Sequence, residues 1–393
     1  MKYVDEFRDG DRAKALTLAI RNEVREGQSY RFMEFCGGHT HAVFRYGVPD
    51  LLPPNIELIH GPGCPVCVLP VGRLDMALRL AVDHPEVILC SYGDMLRVPG
   101  SRGESLFKAR AKGADVRMVY SVSDALDLAR AHPDRQVVFF AIGFETTTPP
   151  TAIAVMTAEK EQLSNFSVFC NHVLTPAAMG AILNIEESVG EQIDIDGFIG
   201  PSHVSVVIGS DAYRFCATQH KKPVVIAGFE PLDVLQSILM LVRQVNEGRA
   251  DIENQYRRAV TNSGNSKAQA VTARVFTQRA SFEWRGLGEI PASALALSED
   301  YAAFDAELRF TMAYKPARGT KSCECPAVLR GAKKPTDCKL FATVCTPENP
   351  LGSCMVSDEG ACAAYYTYGR FRKNPAQPEV IEVQPAPQVA SAG

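Results

Sequence analysis

Short apolar or β-branched runs alternate with segments of helical periodicity from residue 31 onward, and that alternation constrains this chain more than any single motif does. The runs are "RFMEF", "IELIH", "EVILCSY", "VRMVYSV", "QVVFFAIGF", "FSVFCNHV", "GFIG" and "PVVIAGF". Between several of them lie the helix-like stretches "GRLDMALRLAVDHP", "SDALDLARAHP" and "PPTAIAVMTAEKEQL". Strands interleaved with helices in this way predict an α/β protein with mostly parallel, Rossmann-like sheets. The strands are too many for one compact sheet. The reading is therefore two α/β units that meet near residue 125, one over 31–125 and one over 126–222. The strand around 223–229, opening the stretch 223–240, is a candidate to return to the first unit. "EPLDVLQSILMLVRQVNEGRADIENQYRRAV" reads as one or two long helices leading into a helical, cysteine-rich unit over 241–372. Residues 1–30 read as a helical segment, and the Pro-, Ala- and Gln-rich stretch 373–393 as a disordered tail.

At 393 residues the chain is long enough for several cores, since domains run to roughly 100–200 residues. A net charge of -4, with 46% hydrophobic and 22% charged residues, provides no basic surplus to neutralise phosphates, which argues against a nucleic-acid partner. The N-terminal stretch mixes both signs of charge and lacks the apolar core of a signal peptide. No run approaches the roughly 18 apolar residues of a membrane span. A cytoplasmic protein with free thiols is the expectation.

Open α/β sheets bind ligands at the carboxyl ends of their strands. The residues capable of chemistry fall there: Cys36 after "FMEF", Cys64 and Cys67 after "IELIHGPG", Glu145 after "VVFFAIGF" and His172 after "FSVFCN". In "CGGHTH", Cys36 is a candidate thiolate ligand, and His39 can orient it, donate a proton or bind metal; His41 has room to point away. "GPGCPVC" places two thiols at a spacing that chelates a soft metal or exchanges with a disulfide. A rigid turn with two small buried residues is the plain alternative. In "GFETTTPP" a threonine and a proline serve a helix start, and Glu145 exceeds that need, as an acid, a base or a recognition group. His172 in "CNHVLTP" and His203 in "GPSHVSVVIG" stand beside helix-start residues, with the inter-domain cleft within reach.

Twelve cysteines are unevenly spread: Cys36, Cys64 and Cys67 early, Cys90, Cys170 and Cys216 scattered, and six within residues 323–362. The last group has the spacing Cys-x-Cys-x12-Cys-x6-Cys-x8-Cys-x7-Cys. Structural zinc favours two knuckles, commonly Cys-x2-Cys, and that spacing is absent. A [4Fe-4S] cluster takes four cysteines of freer spacing and leaves two over, which suggests a dithiol and disulfide pair beside a redox centre.

Taken in order, "CGGHTH", "GPGCPVC", "GFETTTP", "CNHVLTP", "GPSHVSVVIG" and the six-cysteine pattern make the chain resemble the HypD family of hydrogenase maturation factors over about residues 30–370. The resemblance implies two related α/β domains plus a cluster domain. It further implies a scaffold for the Fe(CN)2CO unit of nickel-iron hydrogenases. The implied partners are a HypC-type small chaperone and a HypE-type cyanide donor, with the chain a monomer inside a heteromeric complex. Cys36 would ligate the iron with His39 near it, and the glycines would leave room for the iron complex and a partner's backbone. Cys64 and Cys67 would form a thiol pair in the cleft. A likeness to ferredoxin:thioredoxin reductase implies Cys323, Cys338, Cys345 and Cys362 as cluster ligands, with Cys325 and Cys354 as the redox pair. The competing reading is an iron-sulfur thiol/disulfide oxidoreductase acting on a protein, which would not need Cys36. A metal-stabilised structural protein would need none of the strand-end groups.

Overall fold

The computed structural model describes residues 5–185, 190 and 193–369, so the expected tail lies outside the described residues. Each apolar run forms a strand: β1 (Tyr30–Glu34), β2 (Ile56–His60), β3 (Val87–Ser91), β4 (Val116–Met118), β5 (Gln136–Gly143), β6 (Phe166–His172), β7 (Gly197–Gly200) and β8 (Val224–Ile226). A ninth, β9 (Ile252–Asn254), joins them. Their pairings are all parallel and give two sheets, ordered β2-β1-β7-β8-β9 and β4-β3-β5-β6. The protein is thus α/β with Rossmann-like parallel sheets. β3, β6, β7 and β8 are buried at every residue, as strands covered on both faces must be.

The strands are distributed differently from a split near residue 125. β3 and β4 lie in the sheet of β5 and β6, and β7 pairs with β1 rather than extending that sheet. The chain starts the first sheet, leaves to build all of the second, and returns to finish the first. Alternating periodicity reveals strands but carries no information about which strands pair, so this nesting is invisible in the run pattern. A second difference concerns "EPLDVLQSILMLVRQVNEGRADIENQYRRAV". One helix, Pro231–Asn246, opens with a capping box of Glu230 and Asp233, and Gly248 (φ +65°) follows its end. The chain then enters β9. Among the described residues no helix is long and apolar enough to cross a membrane.

The central core lies between the sheets: Met33, Ile59, Leu89, Phe140, Phe169 and Phe198 pack there with Cys67, Cys325 and Cys354. Helices Gly10–Glu23 and Pro231–Asn246 contribute to the outer core of the first sheet, and helices Val122–Ala131 and Thr148–Lys160 to that of the second. A part-buried ionic knot ties helix Val71–Asp83 to β6 and the later chain. Arg73 donates to Asn171 Oδ1 (2.5 Å), to Cys170 O (3.0 Å) and to the Glu307 carboxylate, which Arg279 also contacts at 2.5 Å.

Candidate functional site

At the carboxyl end of β1 the chain turns into helix Gly37–Arg45, and Cys36 is its N-cap. Cys36 is extended (φ -153°, ψ 127°), so its carbonyl accepts the amides of His39 (2.9 Å) and Thr40 (3.2 Å), while its thiol makes no capping bond. Its own amide donates to Glu34 Oε2 (3.0 Å). A Cβ on Gly37 would collide with the Glu359 side chain, and one on Gly38 would stand 2.5 Å from the Phe229 ring. The space that glycine leaves over the helix start is therefore filled by this chain's own Glu359 and Phe229. Burial pushes the Cys36 thiol up to about 12, with the Glu359 and Glu34 carboxylates adding to it. Burial likewise raises Glu359 to about 7, helped by Asp94 and Glu34.

His39 is fully buried at the junction of β1, β7 and β8. Its Nε2 faces the carbonyls of Gly228 (3.1 Å) and Ala227 (3.3 Å) and lies 3.1 Å from Ser202 Oγ. Two carbonyls at one nitrogen make Nε2 the protonated one, and Nδ1 is buried with no hydrogen-bond partner among the described residues. Burial lowers the pKa of this imidazole. Phe229 lies between His39 (ring centroids 5.0 Å) and the exposed His203 (4.2 Å). His41 is half-buried against Tyr368.

β2 delivers the second feature. Its carboxyl end runs through Gly61–Gly63, where a Cβ on Gly63 would lie 2.5 Å from the Cys36 nitrogen, into the short helix Pro65–Val68. Cys64 caps that helix, its Sγ accepting the Cys67 amide (3.2 Å), and Cys64 and Cys67 are joined as a buried disulfide with Cα atoms 5.2 Å apart.

The six late cysteines converge. Cys323, Cys325, Cys338, Cys345, Cys354 and Cys362 line one almost wholly apolar pocket with Val328, Leu340, Phe341 and Met355. Cys325 accepts thiol hydrogen bonds from Cys323 and Cys354, which hold its thiol well below the ordinary value, and its Sγ also takes the Cys354 amide (3.4 Å). Among the described residues no three His, Cys, Asp or Glu side chains sit at the spacing of a single bound ion. Ser353 ties this pocket to the disulfide. Its Oγ donates to Cys67 O (3.1 Å) and lies 3.7 Å from Cys325 Sγ, and its carbonyl is 3.9 Å from Cys67 Sγ.

Glu145 and His172 sit at strand ends but turn inward. Glu145 accepts from the amide (2.8 Å) and hydroxyl (2.9 Å) of Thr175 at the start of helix Thr175–Leu183, and burial raises it to about 7 against those bonds. His172 is fully buried, with Nε2 2.9 Å from Thr151 Oγ1 and Nδ1 3.5 Å from Thr147 Oγ1, and burial lowers it to about 4. It faces two core threonines rather than the cleft. Tyr213 is fully buried, and that burial raises its phenol, with the nearby Glu145 adding to it.

Sequence reasoning passed over Glu34, Tyr213, Phe229, Ser353 and Glu359. One of these had a signal: Glu34 is a carboxylate flanked by Phe32, Met33 and Phe35, where a charge needs a reason. The others come from distant segments with no local pattern.

The HypD family model, described as "Hydrogenase formation hypA family", matches residues 11–369. The chain is 65% identical to the hydrogenase maturation factor HypD of Azotobacter vinelandii, covering 95% of this chain and 98% of that protein. It is 62% identical to the same factor of Cupriavidus necator over 95% and 99%. The Escherichia coli factor is 48% identical over 94% and 98%. The chain belongs to the HypD family.

Proposed function

We propose that the chain is a maturation factor for nickel-iron hydrogenases, a scaffold on which an Fe(CN)2CO unit is assembled together with a HypC-type small chaperone and a HypE-type cyanide donor. The supporting observation is Cys36: an unpaired thiol at the carboxyl end of a central strand, with His39 on the same helix. Ferrous iron carrying cyanide and carbon monoxide is a soft, low-spin centre, and thiolate is a soft donor. The buried thiol keeps its proton until iron displaces it, because ligation requires the thiolate. His39 stays neutral and packed, which suits it to orienting the helix start rather than carrying charge.

Six thiols round one apolar pocket are a donor set of the right kind for a [4Fe-4S] cluster, with Cys323, Cys338, Cys345 and Cys362 as its ligands. Such a cluster supplies single electrons when bound. Cys325 and Cys354 are in hydrogen-bond contact, as a redox pair requires. Exchange with Cys64–Cys67 balances within the chain. Cys325 and Cys354 lose two electrons and two protons to become a disulfide, and Cys64 and Cys67 gain them as thiols.

The experiment is anaerobic purification with the small chaperone, followed by iron and sulfide analysis. Iron in excess of the cluster that disappears in Cys36→Ser is the expected result; excess iron retained in that variant refutes the scaffold. The contact of Ser353 with both thiol systems also favours a second reading, a thiol/disulfide oxidoreductase acting on a protein. Rapid reduction of a generic protein disulfide, unaffected by Cys36→Ser, would select it.

A further inference from the structure

Of the two charged residues of β1, Arg31 is half-buried and Glu34 is fully buried. Three donors reach its carboxylate from three elements: the Cys36 amide at the strand end (3.0 Å), the Thr40 hydroxyl on helix Gly37–Arg45, and His60 Nδ1 at the end of β2 (2.8 Å). Its own carbonyl accepts the Gly61 amide (2.9 Å). Burying a carboxylate is costly, and an apolar residue would complete the strand. His60 points to more than packing. With Nδ1 engaged by the carboxylate its ring is fixed between Phe44 and Tyr365, each 5.3 Å away, and Nε2 is buried with no hydrogen-bond partner among the described residues. A carboxylate that orients an imidazole is the arrangement found around working ligands rather than in plain cores.

We propose that Glu34 is the positioning residue of the Cys36 site, with His60 locking it in place. The carboxylate grips the Cys36 amide, holds that residue in the extended conformation of the N-cap, and so fixes the direction in which the thiol meets its iron cargo. Thr40 ties the same oxygen pair to the helix, so the strand end, the helix start and the β2 end move as one body. The role in cargo binding rests on the scaffold reading; the grip on Cys36 belongs to the protein without cargo and is tested there.

The test uses the full chain carrying Glu34→Gln, which keeps shape and one acceptor oxygen. Alkylation by iodoacetamide is followed for each cysteine peptide, with Cys90, fully buried in the second sheet, as the internal control of folding. Severalfold faster labelling of Cys36 with Cys90 unchanged is expected, and His60→Gln should do the same to a smaller extent. If Glu34→Gln also exposes Cys90, His60→Gln combined with Thr40→Val decides, since it frees the carboxylate without removing it. Cys36 labelling at the wild-type rate in the folded variants overturns the proposal. With the small chaperone and cargo, Glu34→Gln should hold iron about tenfold or more weakly, the scale on which outer partners of a ligand act. Cargo bands in the infrared should shift with it. A wild-type protein that holds no such cargo defeats the scaffold reading and leaves the labelling result to decide the grip.

Discussion

Around Cys36 backbone and side chain answer to different neighbours, and substitutions separate the two. Gly63→Ala would place a Cβ 2.5 Å from the Cys36 nitrogen, a contact with backbone that cannot turn aside. The expected outcome is a loss of about 1–3 kcal/mol in urea unfolding, typical of overpacking, with loss of the excess iron. Glu145 makes a pH prediction. Its pKa in the folded state, about 7, stands above the ordinary 4.5, so between those values the folded chain keeps a proton that the unfolded chain has released. Its contribution is therefore most favourable below pH 4.5 and declines as pH rises towards 7. His172, lowered to about 4 from 6.5, acts in the opposite sense, costing stability as pH falls through that window. Glu145→Gln should flatten the decline in Tm between pH 4.5 and 7 relative to wild type; an unchanged Tm profile would show that Glu145 is ionised throughout.

At the scale of elements, buried charge and strand ends do the organising. Glu307 is shared by Arg73 and Arg279, so Glu307→Ala would leave two guanidinium groups without their common partner. A loss of about 1–3 kcal/mol is expected, the cost of leaving part-buried charged donors unmatched, read as a lowered urea midpoint. The strands themselves were legible because an apolar run of strand length between helical stretches has few other solutions, and β1, β2, β5 and β6 carry Cys36, Cys64, Glu145 and His172 to their carboxyl ends much as the pattern implied. Direction was not legible. His172 and Glu145 face inward because Thr147, Thr151 and Thr175 supply hydrogen bonds there, and those pairings join residues up to 30 positions apart. β9 was hidden because its three residues follow a strongly periodic helix without any apolar run.

At the scale of the molecule, the chain interrupts one parallel sheet to build another, and the core between them holds thiols from both ends of the sequence. Cys67 and Ser353 lie 286 positions apart yet share a hydrogen bond, a proximity no local spacing could announce. If the pocket of six thiols holds a cluster through the assigned ligands, Cys338→Ser should lose its visible absorbance and inorganic sulfide, and Cys354→Ser should retain both. The reverse pattern would reassign the ligands. The central claim, that Cys36 carries an iron unit bearing cyanide and carbon monoxide, is tested most directly by infrared spectroscopy of the protein purified anaerobically with its small chaperone. Bands between the amide and C–H stretching regions that vanish in Cys36→Ser are the predicted result. A spectrum empty in that region for the wild-type protein, beside intact iron-sulfur absorbance, would contradict it.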